Sequence, residues 1–404
     1  MGISILNQYN AECLEALACT ANLGKSFNKV FMDVMQLYMC IPGRINFLQM
    51  GRYGKFSEQT YRNNFTREDF DWLGFNRHIS EKVLTGLRRV IAIDPCFIPK
   101  SGNLTPWIGK FWSGVAGAVK RGLELMGIAV IDVDNKESIT LKAQQSPDSV
   151  TLDNICENLV SWYSGVLIHM KDELQRITRH VAADSYFAKE TFITPMVQNG
   201  YHVISRFRND AVLFYPTLEE RTGRKGRPKI YDGKIDFRKL DLSRCRELKV
   251  DKGRAFSIVA YAKALKRKVS LVAWYPEGDL TKGWKLYFST DTDMSGKDVI
   301  DSYRARFQVE FCFRDAKQFA GLTQCQSTDY RKLDFNFNAS FASINLAKAT
   351  CKSLGMPYSI TSCKSMIHNA YMLERFICVS GLEPNKQLID KLIKELVLFT
   401  ATAA

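Results

Sequence analysis

The sequence has few of the residues that build structural zinc sites and disulfide frameworks. Its 404 residues include only five histidines, which are scattered, and its eleven cysteines form no Cys-x-x-Cys pair. Neither a zinc site nor a set of disulfide bonds is indicated. Reduced thiols in a cytoplasmic protein are the simpler interpretation.

Long apolar runs are also missing. The longest uncharged stretches, such as residues 335–347, are interrupted by Asn and Ser and fall short of the roughly 18 apolar residues that a membrane-spanning helix needs. The opening MGISILNQYN has no basic start or apolar segment of the signal-peptide kind, and Leu6 stands where a myristoylation motif requires Ser or Thr. We therefore expect a protein without membrane contacts.

Positive charge is in excess. Lys and Arg number 56 against 42 Asp and Glu, which gives a formal net charge of +14. A polyanion is the expected partner, because each cation that neutralises a phosphate releases a counterion. The length predicts two or three domains, and 46% hydrophobic residues suffice for their cores.

The first 82 residues have helical spacing of apolar residues. Within them INFLQM, GRYGKF and SEQTYRNNF predict a helix, a turn and a second helix with Ser57 as its N-cap. The second helix would present Gln59, Arg62 and Asn63, which are residue types that contact base edges or phosphates. A polar face on a small helical bundle is the alternative, and the sequence leaves both open.

After Ser80 the pattern changes to strands separated by loops and helices. The strand-like runs are RRVIAIDPCF, RGLELMGIAVIDV, SITLKA, HVAADSYF and YHVISRF, with helices predicted over residues 152–179 and 190–200. This alternation predicts a layered α/β core. Two of the apolar runs end in carboxylates, Asp94 and Asp184, and ligands in such sheets bind at the carboxyl ends of strands.

Each of these two carboxylates also has a structural interpretation. Asp94 precedes a proline, and Asp-Pro is a common turn, whereas Asp184 could cap the helix that follows. If the two carboxylates lie together, a divalent cation such as Mg²⁺ or Mn²⁺ would relieve their repulsion.

A long helix is predicted over residues 295–319, with Ser295 as its N-cap. Offsets of 3, 4, 4 and 3 place five polar residues on one stripe of this helix: Tyr303, Arg306, Glu310, Arg314 and Lys317. Phe307, Phe311 and Ala316 would anchor the helix to the core. Ordinary i, i+4 ion pairs on a solvated face are the alternative interpretation of the stripe.

The spacing Tyr303-x2-Arg306-x3-Glu310-x6-Lys317 resembles the Tyr-Arg-Glu-Lys signature of DDE transposases of bacterial insertion sequences. IAIDPCFIPKSG and HVAADSYF are similar to that family's segments around its first two acidic residues. The order Asp, Asp, Glu also fits, with separations of 90 and 126 residues, and the family fills the second gap with a β-rich insertion. The resemblance covers about residues 40 to 350.

The resemblance implies an α/β fold with an RNase H-like core, an N-terminal helical domain and a β-rich insertion between the second Asp and the Glu. The corresponding segments are residues 1–82 (helical, DNA-binding), 83–208 (core), 209–284 (basic insertion), 285–350 (core with the Glu helix) and 351–404 (C-terminal helices). It also implies a bacterial, cytoplasmic enzyme that acts on the double-stranded DNA of element ends and targets, as a homodimer in a synaptic complex and without a small-molecule cofactor.

The chemistry implied is metal-dependent cleavage and strand transfer at terminal inverted repeats. Asp94, Asp184 and Glu310 would hold two Mg²⁺ or Mn²⁺ ions. By resemblance Tyr303, Arg306 and Lys317 would position the DNA end. Arg314 lies outside the signature, and a phosphate contact and a helix ion pair are equally open for it.

The insertion contains a basic tract, RTGRKGRPKIYDGK. Lys225-Gly226-Arg227-Pro228 approximates the core of an AT-hook, in which arginine enters a narrow minor groove. We expect phosphate or minor-groove contacts without sequence preference, although a solvated loop is the alternative. The cations concerned are Arg221, Arg224, Lys225, Arg227 and Lys229.

Trp274 and Trp284 flank the end of the insertion, where core positions are favoured over base stacking. Two other functions compete with the transposase. One is an RNase H-like nuclease without strand transfer, and the other is a non-enzymatic DNA-binding regulator or decayed transposase. RNA binding is disfavoured, because no single-strand stacking motif is visible.

Overall fold

Five helices precede the first strand. A computed structural model describes residues 5–20, 23–218, 229–381 and 395–397 of the chain. The first helices are α1 (Ile5–Ala18), α2 (Lys25–Cys40), α3 (Phe47–Tyr53), α4 (Glu58–Asn64) and α5 (Trp72–Val83). The predicted helix, turn and helix are confirmed as α3 and α4. Ser57 caps α4, since its side chain accepts a hydrogen bond from the Thr60 N–H at 3.2 Å.

A mixed sheet follows, and its strands carry most of the remaining core. The strands are β1 (Arg89–Pro99), β2 (Gly109–Ser113), β3 (Ala118–Asp132), β4 (Glu137–Gln145), β5 (His180–Ala182), β6 (His202–Phe207), β7 (Leu213–Pro216), β8 (Tyr231–Lys234), β9 (Arg246–Leu248), β10 (Arg254–Ala262), β11 (Arg267–Tyr275) and β12 (Lys285–Ser289). Among the described residues they form one sheet in the order β2-β3-β1-β5-β6-β12-β11-β10-β7-β8, with β4 beside β3 and β9 beside β10.

The remaining helices lie between the strands and after them. They are α6 (Ser149–Asn154), α7 (Leu159–His169), α8 (Lys171–Ile177), α9 (Glu190–Gln198), α10 (Gly296–Ala305), α11 (Gln308–Phe319), α12 (Tyr330–Ser353) and α13 (Ile360–Ser380). Helices α1, α2 and α5 pack against α12, so the N-terminal helices share a core with the end of the chain. No helix in these described ranges has the length and apolarity to cross a membrane.

The sheet consists of the core strands around β1 and of a second group of strands that begins at β12. Strand β1 is antiparallel to β3 and parallel to β5, and β5 is parallel to β6. Strand β12 returns beside β6, and the described strands of the segment 209–284 continue the same sheet beyond it. The segment therefore extends the sheet of the core.

Strand β1 is longer than the sequence predicts. The apolar run was expected to end at Asp94-Pro95, but the strand continues to Pro99 and stays paired with β3 as far as Gly122. The proline is tolerated because β5 pairs with β1 only at Ile91 and Ala92, which leaves that edge of β1 without a partner strand at Pro95. The Asp-Pro turn was therefore the wrong alternative.

Two predicted helices are broken into shorter ones. The stretch 152–179 forms α6, α7 and α8, and Asn158 caps α7 by accepting a hydrogen bond from the Ser161 N–H at 3.0 Å. The long helix over residues 295–319 is split between Ala305 and Gln308. There the backbone hydrogen bonds run from residue i to i−3, as from the Glu310 N–H to the Phe307 carbonyl at 3.1 Å. Ser295 caps α10 as predicted.

The anchor of α11 also differs from the prediction. Phe307 was expected in the core but is 50% exposed, because the helix break turns it outward against Phe311. Of the other two predicted anchors, Ala316 is buried as expected and Phe311 is partly buried. Val309 and Phe313 add buried contacts that were not predicted.

Gly127 on β3 determines how closely α11 approaches the sheet. It pairs with Asp94 across β1 and β3, and a Cβ built on it would lie 2.7 Å from the ring of Phe313. The missing side chain therefore lets Phe313 sit directly on the strand, which holds α11 over Asp94.

We predict that Gly127→Ala destabilises the protein by about 1–3 kcal/mol, because the methyl group would displace Phe313. Denaturant unfolding measures this change. Gly165→Ala is the matched control: Gly165 lies in the interior of α7, where a Cβ would have no neighbouring atom within 4 Å, and alanine there should be neutral or stabilising. Equal effects of the two substitutions would contradict the assigned packing.

Candidate active site

Asp94 and Asp184 occupy equivalent positions on neighbouring parallel strands. Ala92 pairs with Ala182 in the last register position of β1 and β5, and each carboxylate follows two residues later. Ser205 of β6 donates a hydrogen bond to the Asp184 carbonyl at 3.0 Å and fixes the backbone there. The Asp184 side chain makes no helix-capping hydrogen bond. The strand register therefore brings both carboxylates to one edge of the sheet.

Glu310 joins this edge from α11 through Arg306. The Arg306 guanidinium donates to Asp94 Oδ1 at 3.2 Å through Nη1 and to Glu310 Oε1 at 3.1 Å through Nη2. Its side chain is only 11% exposed. One buried cation thus bridges a strand carboxylate and a helix carboxylate that lie far apart in the sequence.

The pKa of Asp94 reflects this crowding. Burial is the largest influence and raises the pKa to about 7, and Arg306 acts against that rise. The neighbouring charges of Glu310 and Asp184 add to it. The three carboxylates are therefore close enough to influence one another electrostatically.

Arg306 is held in its charged form by the same group of residues. Burial lowers the pKa of the guanidinium, but the negative charges around it, that of Asp94 foremost, outweigh burial, and the pKa is raised overall. The Arg306 Nε is buried without a hydrogen-bond partner in the described part of the chain. The guanidinium therefore contacts the carboxylates through its two terminal nitrogens, and its Nε–H has no acceptor among the described residues.

Tyr303 lies beside Asp184. Its hydroxyl donates to Asp184 Oδ1 at 3.4 Å, and its ring packs against Tyr287 at 5.1 Å between centroids. Burial, followed by the charge of Asp184, raises the pKa of Tyr303 to about 12. The phenol is thus a stable hydrogen-bond donor at neutral pH.

Lys317 lies at the far end of α11 from Arg306. Its ammonium donates to Cys96 Sγ at 2.9 Å and to the Phe97 carbonyl at 3.1 Å. It therefore ties α11 to the part of β1 that continues beyond Asp94.

Arg314 does not pair with Glu310. It donates to Asp315 Oδ1 at 2.9 Å and stacks over Phe311 at 4.7 Å, with its side chain 54% exposed. Of the two helix ion pairs in the alternative interpretation of the stripe, the Arg306–Glu310 pair is formed and the Glu310–Arg314 pair is not.

In type, the donor set fits a hard divalent cation, because it consists of carboxylate oxygens. In its present arrangement, no group of three or more His, Cys, Asp or Glu side chains from the described ranges is placed to hold a metal ion. Arg306 lies between Asp94 and Glu310 and pairs with both.

Arg62 on α4 is engaged within its own helix. It forms an ion pair with Glu58 at 2.5 Å and stacks over Phe47 at 4.9 Å, and its side chain remains 41% exposed. Gln59 donates to Asn63 at 2.7 Å, and both are exposed. The predicted DNA contact of this helix stays a prediction.

Most of the basic tract lies outside the described residues, namely Arg221, Arg224, Lys225 and Arg227. Lys229 is described and forms an ion pair with Asp232 at 3.3 Å.

The two tryptophans of the insertion are partly buried. Trp274 donates its indole N–H to the Lys252 carbonyl at 2.8 Å, and Trp284 donates to the Asn209 carbonyl at 3.3 Å. These bonds fit structural roles. Sequence reasoning missed that Arg304, next to Tyr303, stacks over Trp274 at 4.6 Å. Helical spacing from Tyr303 could not reveal this contact, because Trp274 belongs to a distant strand.

Three carboxylates on one edge of a mixed α/β sheet, with a cation between two of them, define a candidate acidic active site. A family model described as "Transposase DDE domain" matches residues 86–346. The match spans more than half of the chain and includes all three carboxylates, so the chain belongs to this transposase family, whose substrate is DNA. The search of curated proteins found no match.

We predict that Asp94→Asn removes part of the pH dependence of stability. A carboxyl whose folded pKa lies near 7, above its unfolded value of 3.8, holds an extra proton in the folded state, so stability falls as pH rises toward 7. Relative to wild type, the variant should therefore gain about 2 kcal/mol between pH 5 and pH 8. Unfolding measured across that range tests this. A pH-independent difference between the two proteins would contradict the raised pKa.

Proposed function

We propose that the protein is a DNA transposase that binds the terminal inverted repeats of its own insertion sequence, cuts there and joins the freed 3′ ends to target DNA. The observation that carries this proposal is the bridging of Asp94 and Glu310 by Arg306 at the edge where Asp184 also lies. Arg306 and Glu310 belong to a signature that the sequence shows only as a spacing, and here Arg306 also contacts Asp94 in a distant segment.

The proposal includes an RNase H-like core. Its support is the strand set β4, β3, β1, β5 and β6, with antiparallel pairing on one side of β1 and parallel pairing on the other. The first two carboxylates come from the adjacent parallel strands of this set. The third comes from a helix packed on the same set through Phe313.

In the proposed reaction Asp94, Asp184 and Glu310 hold the catalytic cations. Two Mg²⁺ or Mn²⁺ ions, when bound, would activate water or a 3′-hydroxyl and stabilise the leaving oxygen. Cations held by these carboxylates would take over the neutralisation that Arg306 now provides, and the guanidinium would then be available to pair with a phosphate of the DNA end.

The other signature residues would position that DNA end. Tyr303, kept protonated by its raised pKa, donates a hydrogen bond near Asp184. Lys317 presents a cation beside β1, and Arg314 a second, more exposed one. The positions of Tyr303 on α10 and of Arg314 and Lys317 on α11 suit a DNA strand that passes across the carboxylates.

Regions outside the core would supply further DNA contacts. We assign α3 and α4, with Arg62, and the tract containing Arg224, Lys225, Arg227 and Lys229 to this binding. Joining two element ends would further require a homodimer in a synaptic complex.

The deciding experiment is cleavage and joining of labelled DNA that carries the gene's own flanking ends, with Mg²⁺ or Mn²⁺. Wild type should cut at the element boundary and join the ends. Glu310→Gln should bind the DNA but lose at least about a hundredfold in cleavage rate, because it removes a metal ligand. Glu277→Gln, at an exposed position in the turn after β11, is the matched control and should cut like wild type.

The other outcomes separate the competing functions. Cutting without joined products would identify a nuclease, and binding without cutting by wild type would identify a DNA-binding regulator or decayed enzyme. Equal cutting by wild type and Glu310→Gln would exclude Glu310 as a catalytic ligand.

A further inference from the structure

A two-stranded ribbon at the edge of the sheet has an exposed surface with no assigned role. It consists of β2 and the paired beginning of β3, residues 118–122, joined by the turn 114–117. We call this unit the β2–β3 ribbon. Its side chains have no role in the proposed reaction.

The ribbon has a buried face and an exposed face that alternate along β2. Phe111 and Ser113 are each 6% exposed, whereas Trp112 between them is 60% exposed. Trp112 pairs with Val119 across the strands, and Val119 is 58% exposed. A large aromatic side chain is thus displayed to solvent although the opposite face of the same strand is anchored.

The same exposed face carries a pair of like charges. Lys110 is directly opposite Arg121 in the register of β2 and β3, and like charges in that position destabilise a sheet. Arg121 donates to Asn103 Oδ1 at 2.6 Å. In the described part of the chain no ion pair involves either cation. The sequence therefore retains two unfavourable features side by side, which is typical of a binding surface.

Acidic residues are missing from this part of the chain. From residue 95 to residue 123 the sequence contains Lys100, Lys110, Lys120 and Arg121 but no Asp or Glu. Lys120 is exposed as well, but it pairs with Phe111 and therefore lies on the other face of the ribbon from Trp112. The surface is thus positive, with an aromatic and an aliphatic side chain beside the cations.

The ribbon extends from the same end of the sheet as the acidic site. Asp94 pairs with Gly127, and β3 runs antiparallel to β1, so its first residues lie beyond the carboxyl end of β1. At about 3.4 Å per residue, the eight residues from Gly127 to Val119 place the tip of the ribbon roughly 27 Å from Asp94. That distance corresponds to about eight base pairs of duplex DNA at about 3.4 Å per step.

We infer that the exposed face of the β2–β3 ribbon binds double-stranded DNA on one side of the cleavage site. Lys110 and Arg121 neutralise phosphates, and Trp112 and Val119 rest against the groove. A two-stranded ribbon has the width to enter a major groove. This inference rests on the proposed function, because the ribbon would contact the DNA that is held at Asp94.

The charges favour DNA over a protein partner. Protein interfaces are depleted of lysine in their centre, whereas here a lysine and an arginine face each other beside the exposed tryptophan. A second copy of the chain that docked through the same face would bring the same positive charges and be repelled.

Lys110→Glu separates binding from folding. The substituted carboxylate faces Arg121 and replaces a repulsion with an attraction, so the thermal midpoint should stay equal or rise. Duplex affinity should fall at least about fivefold, and the slope of log affinity against log salt should become less steep by about 1, as expected for one lost phosphate contact. Fluorescence anisotropy with a labelled duplex of about 40 base pairs, without divalent cations, measures both.

Lys136→Asp is the matched control. It changes the charge by the same amount but lies in the turn after β3, at the other end of that strand, where the backbone φ of 56° suits Asp. Its duplex affinity should stay within about twofold of wild type. Trp112→Ala should weaken duplex binding without lowering the thermal midpoint.

Other results would overturn the inference. If Lys110→Glu bound the duplex with the affinity and salt slope of wild type, Lys110 would not contact a phosphate. If Trp112→Ala lost affinity only for single-stranded DNA, Trp112 would stack on bases and the ribbon would not bind duplex. If wild type were a dimer and either variant a monomer, the ribbon would be a protein interface. Failure of the proposed function is distinguishable: wild type would then bind duplex through the ribbon, with the predicted losses in the variants, yet cut no element ends.

Discussion

The site depends on the neutralisation of carboxylates that burial and the strand register force together. Asp94 and Asp184 cannot separate without changing the pairing of β1 and β5, and Glu310 cannot withdraw while Phe313 is seated on Gly127. A buried negative charge is costly unless it is paired. Arg306 supplies that pairing, and the raised pKa of Asp94 shows that one guanidinium does not fully compensate the group.

The break between α10 and α11 is related to this requirement. Arg306 and Phe307 retain right-handed helical dihedral angles, but the hydrogen bonds around them tighten. The tightening exposes Phe307 while Arg306 stays 11% exposed beside the sheet. In an uninterrupted helix, Arg306 and Phe307 would have different orientations from those seen here. The local irregularity thus lies where the bridging side chain is needed, as is common at functional positions.

The sequence predicted the parts of the site better than their relations. Strand positions and the Ser57 and Ser295 caps follow from local pattern, because capping and alternation act over a few residues. The choice of the three carboxylates came instead from the resemblance of their order and spacing to the transposase signature. The continuation of β1 past Pro95 could not be predicted, since it depends on where β5 ends. The contact of Arg306 with Asp94 likewise joins residues 212 positions apart. Spacing identified Arg306 as a signature residue but gave no partner for it.

The two ends of the sheet differ in what lies beside their carboxylates. At the start of β1, Arg88 pairs with Asp134 at 2.7 Å and with Asp298 at 2.7 Å, and His180 at the start of β5 contacts Asp291 at 3.0 Å. Arg88 also pairs with Asp301 at 3.1 Å, so one guanidinium serves three carboxylates at this end as well. At the other end Asp94 and Glu310 share one guanidinium, and the β2–β3 ribbon beyond them carries cations facing each other. An incompletely neutralised acidic site beside these facing cations suits a ligand that brings both metal ions and phosphates, and DNA with its bound cations has that composition.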